Sequence, residues 1–343
     1  MSKIACINTK DIHILDHIAP LAHILDAPLY IEDKKNFDLV KTYYPDVNII
    51  FQSPIEMFSL VKNYEILIEN TFWMTADFYK LLNNNVKLVF CPHGNSDKGF
   101  IEKNLMTFYK NQHAVLLYGN QMVDALKKLD IFDRLQAYTL IGNYRLKYYL
   151  KFKEFLDKKV LNLLKNFNKK NKTILYAPTW KDLENSTSFF DLYPKLIKSL
   201  PKNYNLIIKL HPLLEERTTK EFYQIYEERK DDNVFYLSSC PLIYPILNQT
   251  DIYLGDFSSV GYDFLYFQKP MFFLDKKNRD PKNDSLALHN CGRQIPKENW
   301  DNIFEFIEKN ESDSFKKVQK KYFDYAFADI SLSTLKKNVL NLI

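Results

Sequence analysis

Short apolar runs alternate with amphipathic stretches along the whole chain, a pattern typical of α/β units built around parallel sheets. In the first half the pattern predicts strands at 3–8, 28–31, 47–51, 65–68, 86–90, 114–118 and 137–141. Between these runs, apolar positions recur with the helical period, which predicts helices at 14–25 and 121–129.

The second half repeats this rhythm. Strands are predicted at 173–177, 205–210, 234–237, 252–254 and 271–274, and helices at 191–199, 243–248 and 259–267. We therefore predict an α/β protein with two doubly wound, Rossmann-type domains that face a cleft. Residues 1–144 would form the first domain, which contains the His-Gly loop, and 173–343 the second, with closing C-terminal helices.

A basic segment, 145–172, joins the two halves, with ten Lys or Arg residues against Glu154 and Asp157. Its apolar residues recur every three or four positions, which predicts one face of an amphipathic helix: Tyr149, Phe152, Leu156, Val160, Leu163 and Phe167. Two interpretations stay open. The stripe packs on the domains and the lysines face water, or the helix lies on an anionic membrane surface.

Composition narrows the class of protein. With 46% hydrophobic and 26% charged residues among 343, the chain is expected to be globular. A net charge of +5 is too balanced to predict nucleic acid as a partner. The N-terminus lacks the pattern of a signal peptide, and no apolar run approaches the about 20 residues of a membrane span. The cysteines lack a C-x-x-C pair, which predicts reduced thiols in a cytoplasmic protein: Cys6, Cys91, Cys240 and Cys291.

Candidate chemistry follows the predicted strands, because ligands of doubly wound sheets bind at the carboxyl ends of the strands. The strand at 86–90 runs into CPHGNSDKGF, with His93 beside a glycine and Lys98 five residues later. The whole chain has only seven glycines, and glycine lets the backbone approach a ligand closely. A neutral imidazole can take a proton from a hydroxyl, and an ammonium can bind phosphate. A histidine hydrogen-bonded in a turn is the structural alternative.

Two further loops have the same position after a strand. The stretch ILYAPTWKD supplies Thr179 and Lys181, and LIIKLHP supplies Lys209 and His211. Alternation along the strand predicts that Lys209 and His211 lie on one side. Each of these motifs is weak evidence alone, because a histidine at a strand end is often structural.

The fourth loop is TDIYLGDFSSVGYDF, in which Asp256 closes a strand and Ser258 and Ser259 begin a helix. Free N–H groups at a helix start bind phosphate oxygens. Asp263 follows one turn later, in a position suited to a ribose diol. A plain Ser/Asp helix cap is the structural alternative. Four such loops in order, divided between the two halves, favour a functional site.

These motifs together resemble the CDP-glycerol glycerophosphotransferase family, the enzymes of teichoic-acid and capsule polymers. Four stretches carry the resemblance: His93-Gly94 with Lys98, 176–181, 209–211, and 256–259 with Asp263. The matches run from about residue 88 to the C-terminus. The chain departs from the family pattern by four changes: Pro92 before the histidine, Asn95-Ser96 after the glycine, Lys181 for arginine and Phe257 for tyrosine.

The resemblance implies a GT-B-like fold, a nucleotide held mainly by the second domain, and transfer of glycerol phosphate from CDP-glycerol with release of CMP. No cofactor or metal is expected, because the donor is already activated and the candidate loops lack ligand pairs. We expect His93 and His211 to be catalytic, with His93 as general base. The groups expected to bind substrate or nucleotide are Lys98, Thr179, Lys181, Lys209, Asp256, Ser258, Ser259 and Asp263.

The expected partners are a CDP-alcohol or another nucleotide-linked donor and a polymer, glycan or lipid-linked acceptor, with an anionic membrane as a further surface. Two other functions stay open. A GT-B glycosyltransferase or epimerase would use a nucleotide sugar at the same helix start, although an epimerase usually has Ser-Gly-Gly where this chain has Ser258-Ser259-Val260. A binding protein without catalysis would keep the fold alone.

Overall fold

Two parallel sheets organise the chain in the computed structural model, which describes residues 3–8, 11–53, 63–70, 86–97, 107–180, 186–211, 214, 232–237, 240–280, 282 and 284–342. In these ranges the first sheet contains β1 (Ile4–Asn8), β2 (Leu29–Ile31), β3 (Ile49–Phe51), β4 (Ile66–Glu69), β5 (Lys87–Phe90), β6 (Ala114–Leu117) and β7 (Tyr138–Leu140). The second contains β8 (Lys172–Ala177), β9 (Tyr204–Ile208), β10 (Val234–Tyr236), β11 (Ile252–Gly255), β12 (Met271–Leu274) and β13 (Arg293–Ile295).

Both sheets are doubly wound. Their strand orders are β3-β2-β1-β4-β5-β6-β7 and β10-β9-β8-β11-β12-β13, so each order reverses beside its first strand. Within the described residues all strand pairs are parallel. For example, Cys6 lies beside Leu29, and Tyr176 lies beside Ile208. The predicted strands are confirmed in number and place, except that β13 was not predicted, because RQI has no apolar run. The predicted GT-B-like α/β fold is confirmed.

The helices described are α1 (Leu15–Leu25), α2 (Lys34–Tyr43), α3 (Asn120–Lys128), α4 (Tyr144–Lys151), α5 (Lys153–Leu163), α6 (Phe189–Ser199), α7 (Tyr244–Asn248), α8 (Val260–Phe264), α9 (Ile303–Asn310), α10 (Lys316–Ala326) and α11 (Leu332–Leu340). Short 3₁₀ turns lie at Ile12–Ile14, Thr107–Asn111, Phe132–Arg134, Leu265–Phe267, Asp284–Cys291 and Lys297–Asn299. No helix in the described ranges is long and apolar enough to cross a membrane.

Central strands are buried on both faces, which explains their continuous apolar sequence. Every residue of β1, β4, β6, β11 and β12 is buried. One large hydrophobic cluster runs from the inner face of the first sheet, through α4 and α5, to Tyr253 and Phe273 of the second. Smaller clusters cover the outer faces of the second and first sheets. The two domains therefore share a core beneath the cleft.

The joining segment differs from its prediction as a single basic helix. The helix breaks at Phe152, between α4 and α5. Its apolar stripe is not available to a membrane, because Tyr149, Leu156 and Val160 are buried in the shared core. Arg145, which counted as one of the basic residues, is also buried. The apolar stripe thus packs on the domains, and contact of the exposed lysines with an anionic membrane surface stays a prediction.

The C-terminal helices return across the cleft. Gln319 of α10 donates to the carbonyl groups of Lys269 and Cys291, 2.9 Å away in each case, which fixes α10 on the second domain. The segment after α10 then reaches the first sheet, where the Ala328 N–H donates to Tyr118 O at 2.9 Å. α11, placed by the sequence in the second domain, packs on α1 and β7 of the first.

Candidate active site

A cleft of about 320 Å³ lies between the two domains. Its walls come from the segment at the start of α1, the loop after β5, the ends of β8 and β9, and the start of α8. Its polar and charged lining includes Asp11, His13, Asp16, His17, His93, Arg145, Lys209, His211, Ser258, Ser259 and Asp263.

Six of the ten predicted site residues line the cleft: His93, Lys209, His211, Ser258, Ser259 and Asp263. Lys98 and Lys181 lie outside the described residues, so their predicted roles stay predictions. Thr179 and Asp256 are buried beside the cleft and do not line it. The structure thus brings together side chains that are up to 170 positions apart in sequence, from His93 to Asp263.

The backbone conformation of the loop after β5 requires a glycine at position 94. Gly94 has a φ of +115°, a conformation that residues with a Cβ rarely adopt. A Cβ at this position would lie 3.2 Å from the Cβ atom of Ser259. The His-Gly loop of the first domain therefore touches the helix start of the second, and His93 projects into the cleft, where it is exposed.

Four of the seven histidines meet at this place. The ring centroid of His13 lies 5.5 Å from those of His93 and His211, and the ring of His17 lies 6.4 Å from that of His93. His13 and His17 were missed by the sequence analysis. The signal was available, because both follow the first strand and lie four positions apart, His13 in the 3₁₀ turn Ile12–Ile14 and His17 in the first turn of α1.

The protein around the cleft keeps three of these histidines, His13, His17 and His93, neutral. Burial, with His93 and Lys209 nearby, lowers the pKa of His13 to about 3. His93 keeps an exposed surface in the cleft, but desolvation by the surrounding protein lowers its pKa, although the negative charge of Asp11 opposes the shift. Neutral imidazoles provide lone pairs that accept protons or hydrogen bonds at neutral pH. No group of three or more His, Cys, Asp or Glu in the described ranges is arranged to hold a metal ion.

The opposite wall offers positive charge and hydrogen-bond donors. Lys209 and His211 follow β9, and the ring of His211 is tilted against Trp180 at 6.4 Å. Ser258 and Ser259 precede α8, and the Ser259 hydroxyl makes no capping hydrogen bond. The interpretation of Ser259 as a plain side-chain cap is therefore not what the structure shows. An ammonium and free hydroxyls are groups that bind phosphate oxygens.

Asp256 follows β11, as predicted, but its side chain is buried and does not line the cleft. It is fully buried, and its carboxylate accepts hydrogen bonds from the backbone N–H of Thr179 at 2.7 Å and of Ser188 at 2.8 Å. The Phe257 N–H and the Ser188 hydroxyl also donate to it. All of these contacts lie inside the second domain, so the predicted nucleotide contact of Asp256 stays a prediction. Because its charge satisfies backbone donors on both sides of the β8 and β11 ends, it holds these loops in place.

Asp263 lines the cleft, but both of its oxygen atoms are engaged. Oδ2 accepts from Arg145 Nη1 at 2.9 Å, and Oδ1 accepts from the Tyr244 hydroxyl at 2.7 Å. Arg145 also binds Asp16 Oδ2 at 2.6 Å through Nη2. This buried cluster joins the first domain, α4 and the second domain. A ribose would have to share the Asp263 carboxylate with these partners, so its predicted ribose contact stays a prediction.

A two-domain α/β fold with a nucleotide-sized cleft between its sheets defines the GT-B-like class. Within that class the family is specific: the family model described as CDP-glycerol:poly(glycerophosphate) glycerophosphotransferase matches residues 150–327. The chain belongs to this family, as the resemblance of its motifs predicted.

Two curated relatives agree with this assignment. A teichoic acid poly(glycerol phosphate) polymerase of Bacillus spizizenii is 33% identical over 142 residues, which cover 35% of this chain and 32% of the relative. A teichoic acid glycerol-phosphate primase of Bacillus subtilis is 25% identical over 270 residues, which cover 73% of this chain and 61% of the relative. The chain thus spans less than two thirds of the length of either relative.

Solved structures share the fold over the whole chain. The wall teichoic acid polymerase TagF superposes with a TM-score of 0.60 at 15% identity, covering 100% of this chain and 88% of that protein. MnaA of S. aureus, solved with UDP, superposes with a TM-score of 0.61 at 11% identity, covering 100% and 98%. At these identities the likeness concerns the fold.

Proposed function

We propose that this chain transfers glycerol phosphate from CDP-glycerol to the hydroxyl group of a poly(glycerophosphate)-type acceptor and releases CMP. The observation that carries the proposal is the exposed, neutral His93 facing a wall with Lys209, His211, Ser258 and Ser259. The family to which the chain belongs supports this choice of donor over a nucleotide sugar.

In the proposed reaction His93 takes the proton of the acceptor hydroxyl as its oxygen attacks the β-phosphorus of the donor. The new O–P bond forms while the bond from that phosphorus to the bridging oxygen breaks, and CMP leaves as a phosphate anion that needs no proton. Lys209, His211 and the start of α8 would stabilise the charge on the phosphates. The proton then passes from His93 to solvent.

We infer that the second domain, from residue 173 onward, binds the nucleotide, and that the first domain binds the acceptor. The division follows the walls of the cleft, since Lys209, Ser258 and Ser259 come from the second domain and His93 from the first. The reaction would take place in the cytoplasm. A lipid-linked acceptor at the inner face of the membrane would be approached through the exposed lysines of α5, for example Lys158.

The test is release of CMP, measured by chromatography, from CDP-glycerol, CDP-ribitol and UDP-glucose in the presence of a glycerophosphate acceptor. We expect turnover with CDP-glycerol and little with UDP-glucose. A His93→Ala variant with unchanged CDP affinity serves as the control for catalysis. Turnover of UDP-glucose alone would assign the chain to the glycosyltransferases, and no turnover of any donor would support a binding protein.

A further inference from the structure

His17 has a defined protonation state that the reaction described above does not use. We propose that His17 selects acceptors that end in a vicinal diol, by accepting through Nε2 a hydrogen bond from the hydroxyl beside the one that reacts at His93. The proposal rests on the proposed function, because it assigns a role within the same cleft. Its support comes from assigning the proton in each hydrogen bond that Tyr118 makes with Pro92 and His17.

The proton count begins at Tyr118. Its hydroxyl donates to the carbonyl oxygen of Pro92 at 3.0 Å, and a carbonyl oxygen only accepts. Because a hydroxyl has a single proton, we assign the nitrogen as the donor in the 2.7 Å bond between Tyr118 and His17 Nδ1. The hydroxyl of Tyr144 cannot change this, because it donates its own proton to His17 O at 2.9 Å. His17 is therefore protonated at Nδ1.

The protonation state of Nε2 follows from that of Nδ1. His17 is buried, and both burial and the charge of Arg145 hold its pKa well below 6.5, so the ring is neutral. A neutral ring with a proton on Nδ1 has a lone pair on Nε2. Nδ1 is bonded inside the domain, so the polar atom that His17 offers to the cleft is Nε2. The site there is a fixed hydrogen-bond acceptor.

This acceptor suits a group that carries a proton, such as the hydroxyl of an acceptor glycerol, and not a phosphate. A phosphate oxygen offers no proton at neutral pH, so Nε2 would repel it. His17 is also a poor base, because its imidazolium form would be buried beside Arg145. His93 is exposed in the cleft and has the negative charge of Asp11 to stabilise its imidazolium. In this proposal His17 therefore binds one hydroxyl, and His93 takes the proton from its neighbour.

The distance between them fits adjacent hydroxyls. The ring centroids of His17 and His93 are 6.4 Å apart, with planes at 82°. Hydrogen bonds of about 2.8 Å that converge on the cleft from the two rings can therefore end on two neighbouring hydroxyl groups of one molecule. The terminal glycerol of a poly(glycerophosphate) chain has such a pair of neighbouring hydroxyls. The Tyr118 bond to Pro92 O also holds the backbone just before His93, so one side chain positions both rings.

The first experiment compares two synthetic acceptors with CDP-glycerol as donor. Octyl glycerophosphate ends in a vicinal diol, and octyl 3-hydroxypropyl phosphate has the primary hydroxyl alone. We expect the intact chain to prefer the diol in kcat/KM by at least about 100-fold, because sites built around a substrate hydroxyl reject analogues without it. His17→Phe should reduce this preference to a few-fold. His17→Gln should recover part of it, because its amide oxygen can accept.

The matched control is His23→Phe, the same substitution two turns further along α1, where His23 Nδ1 bonds Asp46 O outside the cleft. It should leave the preference for the diol unchanged. Melting temperature and CDP affinity of each variant separate loss of folding or donor binding from loss of acceptor selection. A diol preference that survives in His17→Phe would overturn the proposal.

The second experiment needs no turnover. In ¹⁵N-labelled protein the spectrum of His17 should show a protonated Nδ1 and a bare Nε2, and Tyr118→Phe should shift the ring toward the other tautomer. Octyl glycerophosphate should move the Nε2 resonance, and the 3-hydroxypropyl compound should not. A proton on Nε2 in the intact chain overturns the inference. Absence of CMP release by the intact chain, with these spectra as expected, would instead reject the proposed function.

Discussion

Replacing Arg145 by methionine tests the buried cluster that joins the domains. Arg145 is 4% exposed and is the cation between Asp16 and Asp263, which are also buried. Methionine fills most of the space but leaves two carboxylates without a counter-charge in a site of low dielectric constant. Removing one partner of a buried ion pair costs about 3–5 kcal/mol, and here two carboxylates lose their partner. We therefore expect the free energy of unfolding to fall by at least about 3 kcal/mol.

The assay is urea unfolding followed by tryptophan fluorescence, at several pH values. Burial already raises the pKa of Asp16 in the intact chain, and loss of the opposing charge of Arg145 should raise it further. Stability of the variant should therefore be greatest below the ordinary carboxyl pKa and be lost as pH rises through the raised values. The difference from the intact chain should narrow in acid.

The matched control is Lys147→Met, on the same helix. Lys147 pairs with Asp329 at 3.4 Å, and that aspartate is fully exposed. Exposed pairs contribute about 0–1 kcal/mol, so this variant should unfold almost as the intact chain does. If Arg145→Met loses no more stability than Lys147→Met, or if its loss does not depend on pH, the cluster does not hold the domains as argued.

Three further predictions concern the site. His93→Ala should lower kcat by about 10²–10⁴-fold with CDP affinity nearly intact, since proton transfer belongs to the transition state. For the intact chain, the rate should fall in acid with a midpoint below pH 6.5, because burial lowers the pKa of His93; a midpoint above that value would contradict this role. Gly94→Ala should cost about 1–3 kcal/mol in thermal unfolding, since φ is +115°. Asp256→Ala should unfold more readily by about 3 kcal/mol or more, because buried N–H groups lose their acceptor; lost nucleotide affinity at unchanged stability would support Asp256 as a ligand.

The sequence by itself determined the fold and its class. Strands such as β1 and β11 are buried on both faces, so a continuous apolar run was required and could be recognised from the sequence alone. The loops after them had to carry the chemistry, because strand ends of parallel sheets converge. That rule found His93, Lys209, His211, Ser258 and Ser259, all of which line the cleft.

Tertiary structure decided what each polar residue does there. Asp256 and Asp263 look alike in sequence, yet they have different partners. Asp256 accepts a hydrogen bond from a backbone N–H group, and Asp263 pairs with Arg145 of α4. The basic segment looked amphipathic, and only packing showed that its stripe was already buried. His17 required the proton count of Tyr118, whose partners lie 26 and 101 positions away. The local sequence pattern predicts which residues are buried and which element they form. The partner of a buried charge lies far away in the chain, so the local sequence cannot predict it.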